Sequence, residues 1–353
     1  MIRRLLPVAE TFSFQHSNKK VMLPQTLFQK TTVNSIIHHF CIVFAVLWLF
    51  HGSLIAQQAP DDWEAVSISV EEIDYPHPVS FYDFTILGKD VRMAYMDVPP
   101  NGSPNGRTVV LLHGLNFFGE YWAGTIEALT EEGYRVIVPD QIGFGRSSKP
   151  VIPYSFQKKA ANTKALLEEL GVSRAVILGH SMGGMLATRF AYSYPETTEK
   201  LVLVNMIGKQ DFRLFRGWQS TQEIYQSEMD RTYDDILQQQ QNYYVEWKPE
   251  YNNYVRIHYG WLQSADWPQM AMVRALNRQM VYSQPVALEF AHLQVPALIL
   301  SGREDGPDFA EHARNTAQVI PEAELILLEN VGHNPHLEAP ARFHRKLIEN
   351  LDE

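Results

Sequence analysis

A serine hydroxyl attacks carbonyl carbon at neutral pH only when a neutral imidazole takes its proton and a carboxylate orients that imidazole. Three residues of this 353-residue chain stand where such a set could form. Ser181 is central to Gly179-His180-Ser181-Met182-Gly183-Gly184, which follows the apolar run Ala175-Val176-Ile177-Leu178 and opens a helical pattern, Met185 to Tyr194. That order predicts a strand, a tight turn and a helix, with the hydroxyl lifted clear of a sheet. Glycine is needed at the flanking positions, because a Cβ there would meet the crossing strand or helix, and such a turn drives the backbone towards positive φ.

The base is His333, in Val331-Gly332-His333-Asn334-Pro335, a loop at the carboxyl end of the last apolar strand. His336, further along that loop, is a competitor. The two do not read as a metal site, since no third ligand with matching spacing lies nearby. For the acid, Ser301-Gly302-Arg303-Glu304-Asp305 follows the run Ala297 to Leu300; Asp305 is the first choice, with Glu304 and Asp308 as alternatives. A tetrahedral oxyanion also needs preorganised N–H donors. His113-Gly114-Leu115-Asn116 ends the strand Thr108 to Leu112, and the amides of Leu115 and Met182 are assigned that role. His113 reads as part of the turn rather than as a second base. The loop Asp140 to Ser147 reads as scaffold bent at Gly143 and Gly145.

These loops need a frame, and from Phe81 onward strands alternate with helices, the pattern of a mostly parallel sheet covered on both faces. An early pair of strands is expected at Phe84 to Ile86 and Val91 to Asp97. Further strands are expected at Thr108 to Leu112, Arg135 to Pro139, Arg174 to Leu178, Lys200 to Val204, Ala297 to Leu300 and Glu324 to Leu328. Helical patterns lie at Trp122 to Glu132, Phe156 to Leu170, Met182 to Tyr194, Phe309 to Val319 and Pro340 to Leu351. Met206 to Pro285 breaks the alternation: it has no strong strand, helical stretches at Thr221 to Tyr244 and Trp267 to Tyr282, and 14 aromatics in 80 residues against 12% overall. An insertion above the carboxyl ends of a sheet is where a lid belongs.

The net charge of −10, without a basic run, excludes nucleic acid as a partner, and 45% hydrophobic residues are ample for a core. The expected partner is a small-molecule substrate, with no metal and no cofactor.

Four signals in order, His113-Gly114, Gly179 to Gly183, Gly302 with Asp305, and Gly332-His333, resemble the α/β-hydrolase superfamily from about Phe81 to the C-terminus. The resemblance implies a core at residues 57–205 and 286–353 and a helical cap at 206–285, between the sixth and seventh strands. Some enzymes of this architecture carry the acid after the earlier strand, where this chain has Asn205, so the later loop gains weight. Haloalkane dehalogenases and epoxide hydrolases of this fold have aspartate at the elbow, and proline iminopeptidases usually Gly-Gly-Ser-Trp-Gly; neither matches Gly179 to Gly183. The resemblance therefore implies a serine hydrolase of small or medium carboxylic esters acting through an acyl-enzyme. A carbon–carbon-bond hydrolase, a perhydrolase-like member and a non-catalytic binding protein are the alternatives.

The first residues differ in kind. Arg3, Arg4, Lys19, Lys20 and Lys30 precede an apolar run from Phe40 to Phe50, followed by Ser53, Ala56 and Gln57. That order reads as an export signal over residues 1–56, cleaved after Ala56, or as a retained membrane anchor, with Met22 as an alternative start. The one cysteine, Cys41, lies within it, so the mature chain would hold no disulfide. N-terminal sequencing of the exported protein is expected to read Gln57 first; a mature chain beginning at Met1 would refute cleavage.

Overall fold

The computed structural model describes residues 59–351, so the expected export segment and Cys41 lie outside the described residues. The strands are β1 (Val79–Ile86), β2 (Lys89–Val98), β3 (Thr108–Leu112), β4 (Arg135–Pro139), β5 (Ala175–His180), β6 (Thr198–Val204), β7 (Ala297–Gly302) and β8 (Ala323–Leu328). They form one eight-stranded sheet in the order β1-β2-β4-β3-β5-β6-β7-β8. β2 runs antiparallel to both its neighbours. From β4 to β8 every pairing is parallel.

The central strands show why continuous apolar runs build such a sheet. Every residue of β3 and β5 is buried, because helices cover both faces. Val110 and Leu112 join one core with Phe156 and Leu166 of α2 (Phe156–Glu169) and Leu186 of α3 (Met182–Ser193). Their neighbours Val109 and Leu111 point the other way, towards Ile126 of α1 (Ala123–Glu131) and Phe343 and Leu347 of the C-terminal helix Pro340–Leu351. The edge strand β1 begins at Val79, ahead of the Phe84 read from the sequence. Its residues alternate between exposed and half-buried, so it lacks the continuous apolar run that marks the inner strands.

Four helices lie between β6 and β7: α4 (Thr221–Met229), α5 (Tyr233–Gln241), α6 (Asn252–Leu262) and α7 (Trp267–Ser283). The stretch Thr221 to Tyr244 is therefore two helices rather than one. Thr232 and Asp235 close a reciprocal capping box, with Asp235 N–H donating to Thr232 Oγ1 (3.2 Å) and Thr232 N–H to Asp235 Oδ2 (2.8 Å), and that box starts a new helix. Helix α6 is an addition to the sequence reading. Its Ile257 and Trp261 bury against Val66, Val70 and Ile73 of the segment preceding β1, and Val66 N–H donates to Gly260 O (3.0 Å).

The register brings Leu112 beside Gly179 and Gly179 beside Leu203, so the carboxyl ends of β3, β5 and β6 share one edge. There α3 starts almost in contact with the sheet. A Cβ on Gly179 would sit 2.1 Å from Gly183 O, and one on Gly183 2.2 Å from Leu112 O. Because both obstacles are backbone, Gly183→Ala is expected to cost about 3 kcal/mol or more, read as a lower urea midpoint. An unchanged midpoint would show that α3 can shift freely.

Candidate active site

Ser181 ends β5 and precedes α3 with φ 56° and ψ −119°, so the backbone strain falls on the serine while the glycines supply room. The turn is held from within the fold. Ser181 N–H donates to Val204 O (3.0 Å), and Ser181 O accepts from Gly184 N–H (3.0 Å) and Ile207 N–H (3.3 Å). The side chain can then point only away from the sheet.

Of the three carboxylates read from the sequence, Asp305 is the one that reaches His333. Oδ2 of Asp305 accepts from His333 Nδ1 at 2.8 Å, which leaves the Nε2 lone pair free to take a proton. Glu304 and Asp308 are exposed. Asn205, at the carboxyl end of β6, donates its Nδ2 to Asp305 Oδ2 (3.0 Å) and to Gly332 O (3.1 Å), while its Oδ1 accepts from Gly302 N–H (2.8 Å). One amide thus ties the acid loop to the base loop. Tyr243, between α5 and α6, was likewise not read from the sequence. Its carbonyl accepts from His333 N–H (2.7 Å), and its ring stacks on the imidazole with centroids 4.7 Å apart.

The competing histidines are held elsewhere. His336 is buried with its ring 4.4 Å from that of Trp122, and neither ring nitrogen is bonded among the described residues. His113 accepts from Gln141 N–H at Nε2 (3.0 Å), so its Nδ1–H donates to Gly114 O (2.9 Å). Burial lowers its pKa to about 4, which keeps the ring neutral and tied to the turn. Asp140 likewise braces its loop, accepting from Tyr75 Oη–H (2.6 Å), Gly119 N–H (2.7 Å) and Arg146 N–H (2.8 Å).

The elbow histidine links the two sides of the site. Gly114 N–H donates to Tyr121 Oη (3.1 Å), whose hydroxyl donates to His180 Nδ1 (3.0 Å), and His180 Nε2–H donates to His333 O (2.9 Å). Burial first, then the neighbouring His333 and His336, hold the pKa of His180 well below the usual imidazole range, so it stays in this neutral tautomer.

Ser181, Leu115, Asp305 and His333 line one cavity of about 350 Å³. Met182 is the first residue of α3, where a backbone N–H has no carbonyl within its helix to meet. Neither its amide nor that of Leu115 donates to a turn or loop hydrogen bond among the described residues. A model of the alpha/beta hydrolase family matches residues 109–346. The chain belongs to this family. It is 41% identical to a probable hydrolytic enzyme from Pseudomonas aeruginosa PAO1, over 82% of this chain and 99% of that one, with a TM-score of 0.79. It is 27% identical to Lipase 1 of Psychrobacter immobilis, over 72% of this chain and 78% of the lipase. The esterase from Exiguobacterium antarcticum shares the fold at a TM-score of 0.63 and 19% identity, over 74% of this chain and 96% of the esterase.

Within this α/β hydrolase the far wall of the cavity is supplied by α7. Arg274 and Arg278, one helical turn apart, both line it and both bond Glu228 of α4, at 2.8 Å from Nε and 2.6 Å from Nη1. Glu228 is fully buried. Burial alone would raise its pKa, but the guanidiniums of Arg274, Arg231 and Arg278 outweigh it and hold the carboxyl at about 2, against an ordinary 4.5. A carboxylate with a lowered folded-state pKa stabilises the fold above its ordinary value, and that contribution is lost as pH falls towards the folded one. Glu228→Gln is expected to cost about 3 kcal/mol near neutral pH, from losing a buried partner of two arginines. Denaturant titrations should show that gap closing as pH falls from the ordinary carboxylate range towards about 2; a gap independent of pH would refute the ion cluster.

Proposed function

We propose that this α/β hydrolase cleaves small or medium carboxylic esters with Ser181 as nucleophile, His333 as base and Asp305 as its partner. The observation that carries the reading is the His333 Nδ1 to Asp305 bond of 2.8 Å on the wall of the cavity that also holds Ser181 in its strained turn. Ser181 Oγ attacks the carbonyl carbon as His333 Nε2 takes the hydroxyl proton. The oxygen that becomes negative is met by the amides of Leu115 and Met182, each such donor being worth about 2.7–4 kcal/mol in the transition state. Collapse breaks the ester C–O bond, and the imidazolium returns its proton to the leaving alcohol. Water, deprotonated by the same nitrogen, then adds to the acyl-enzyme and releases the acid and Ser181. No step calls for a cofactor.

The helices between β6 and β7 act as the cap in this reading, since Tyr243, Arg274 and Arg278 from that segment line the cavity of Ser181. The relation to a lipase supports ester substrates. The proposed site of action is outside the cytoplasm, on the strength of residues 1–56.

A fluorophosphonate probe is expected to label Ser181, and Ser181→Ala to abolish labelling together with a loss of about 10⁴-fold or more in ester turnover. Labelling that survives in Ser181→Ala, or turnover that survives with it, would overturn the assignment.

A further inference from the structure

The ester chemistry proposed above needs an elbow, a base, an acid and two amides, yet the cavity also carries cations that none of these steps uses. Arg216, Arg274 and Arg278 line it. Of the acids around them, Asp305 is engaged by His333 and Asn205. Glu228 is the carboxylate that meets Arg274 and Arg278, and it shares itself with Arg231 at 3.7 Å as well. Arg216 has no carboxylate partner among the described residues; its guanidinium lies 4.5 Å over the ring of Phe212, another residue of the same wall. Three guanidiniums thus stand against two carboxylates, Asp305 on the wall and Glu228 behind it, and of the three Arg216 is the one without a carboxylate partner.

Arg216 and Arg278 are exposed where they line the cavity, and Arg274 is held behind them by its bond to Glu228. Arg274, 4% exposed, donates Nη2–H to Asn116 Oδ1 (3.1 Å), and Asn116 adjoins Leu115. The same Asn116 donates Nδ2–H to Tyr243 Oη (2.6 Å), beneath the base. Tyr282 Oη–H donates to Arg216 O (3.2 Å), fixing the Arg216 turn against α7. Arg274 is thus bonded directly to the loop that carries one proposed oxyanion donor and, through Asn116, to the residue stacked on His333.

We propose that the substrate carries an ionised carboxylate besides its ester, received by Arg278 and Arg216 with Arg274 as the fixed cation behind them. A guanidinium fork matches the two oxygens of a carboxylate, and a cavity of about 350 Å³ holds a half-ester of a short dicarboxylic acid. This inference rests on the ester reading for the reacting end and on the arginines alone for the other.

Ser181→Ala removes turnover and leaves the arginine wall in place, so binding to that variant tests the wall apart from the chemistry. Isothermal titration is expected to show monomethyl glutarate binding at least about tenfold more tightly than neutral dimethyl glutarate. Rising salt should weaken that preference, and adding Arg278→Gln or, independently, Arg216→Gln should reduce it by about tenfold. Because Arg216 and Arg278 are exposed, two variants guard against a fold defect, and unchanged thermal melts verify each. In the Ser181 enzyme, kcat/KM for p-nitrophenyl hemiglutarate relative to p-nitrophenyl butyrate should fall by a similar factor in Arg278→Gln. Equal affinity for the neutral diester, or a preference untouched by both substitutions, overturns the anion site even where Ser181 is labelled. Tighter binding of methyl phosphate than of monomethyl glutarate overturns the carboxylate in favour of a phosphate ester. Loss of labelling with the glutarate preference intact overturns the nucleophile and upholds the anion site.

Discussion

The rest of the structure depends on one close approach: the backbone of α3 lies against the carboxyl ends of β3 and β5 with no room for a Cβ at Gly179 or Gly183. A helix that starts so near the sheet must reverse direction within a single residue, and that residue is Ser181, at φ 56°. The strain is met by bonds the sheet supplies, chiefly Ser181 N–H to Val204 O. Every other part of the site is positioned relative to this point, because the neighbouring strands end at the same edge and their loops have nowhere else to go.

Around that fixed point, buried polar groups bond one another, and the partners they find weld the loops together. Asn205 joins the loop of Asp305 to the loop of His333, and the chain from Gly114 through Tyr121 and His180 joins the turn after β3 to His333. His180 can play this part because burial keeps it neutral, one nitrogen accepting and the other donating. A charged ring there would lose the Tyr121 bond and place a cation beside His333.

The inner strands were legible in the sequence because burial on both faces demands unbroken runs of Val, Ile and Leu, as in β3 and β5. The convergence of Ser181, Asp305 and His333 on one cavity was legible because each follows such a run at its carboxyl end. The edge strand β1 was less so, since one exposed face dilutes the apolar signal. The break between α4 and α5 is written in the capping pair Thr232 and Asp235, ahead of a polar run that continues the helical pattern. Asn205, Tyr243 and the arginines had no such signal, because what matters about them is convergence: Arg216 and Arg274 lie far apart in the chain and meet only through folding. Asn205 was noted for the charge it lacks, whereas its two amide donors are what the fold uses.

Tyr243 holds His333 twice, by its carbonyl and by its ring, yet it belongs to the segment that also supplies the arginine wall. A displacement of that segment would therefore act on the imidazole, through its anchor and its stacking surface, as well as on the wall. A single tyrosine thereby couples the position of the cavity's far wall to the position of the imidazole.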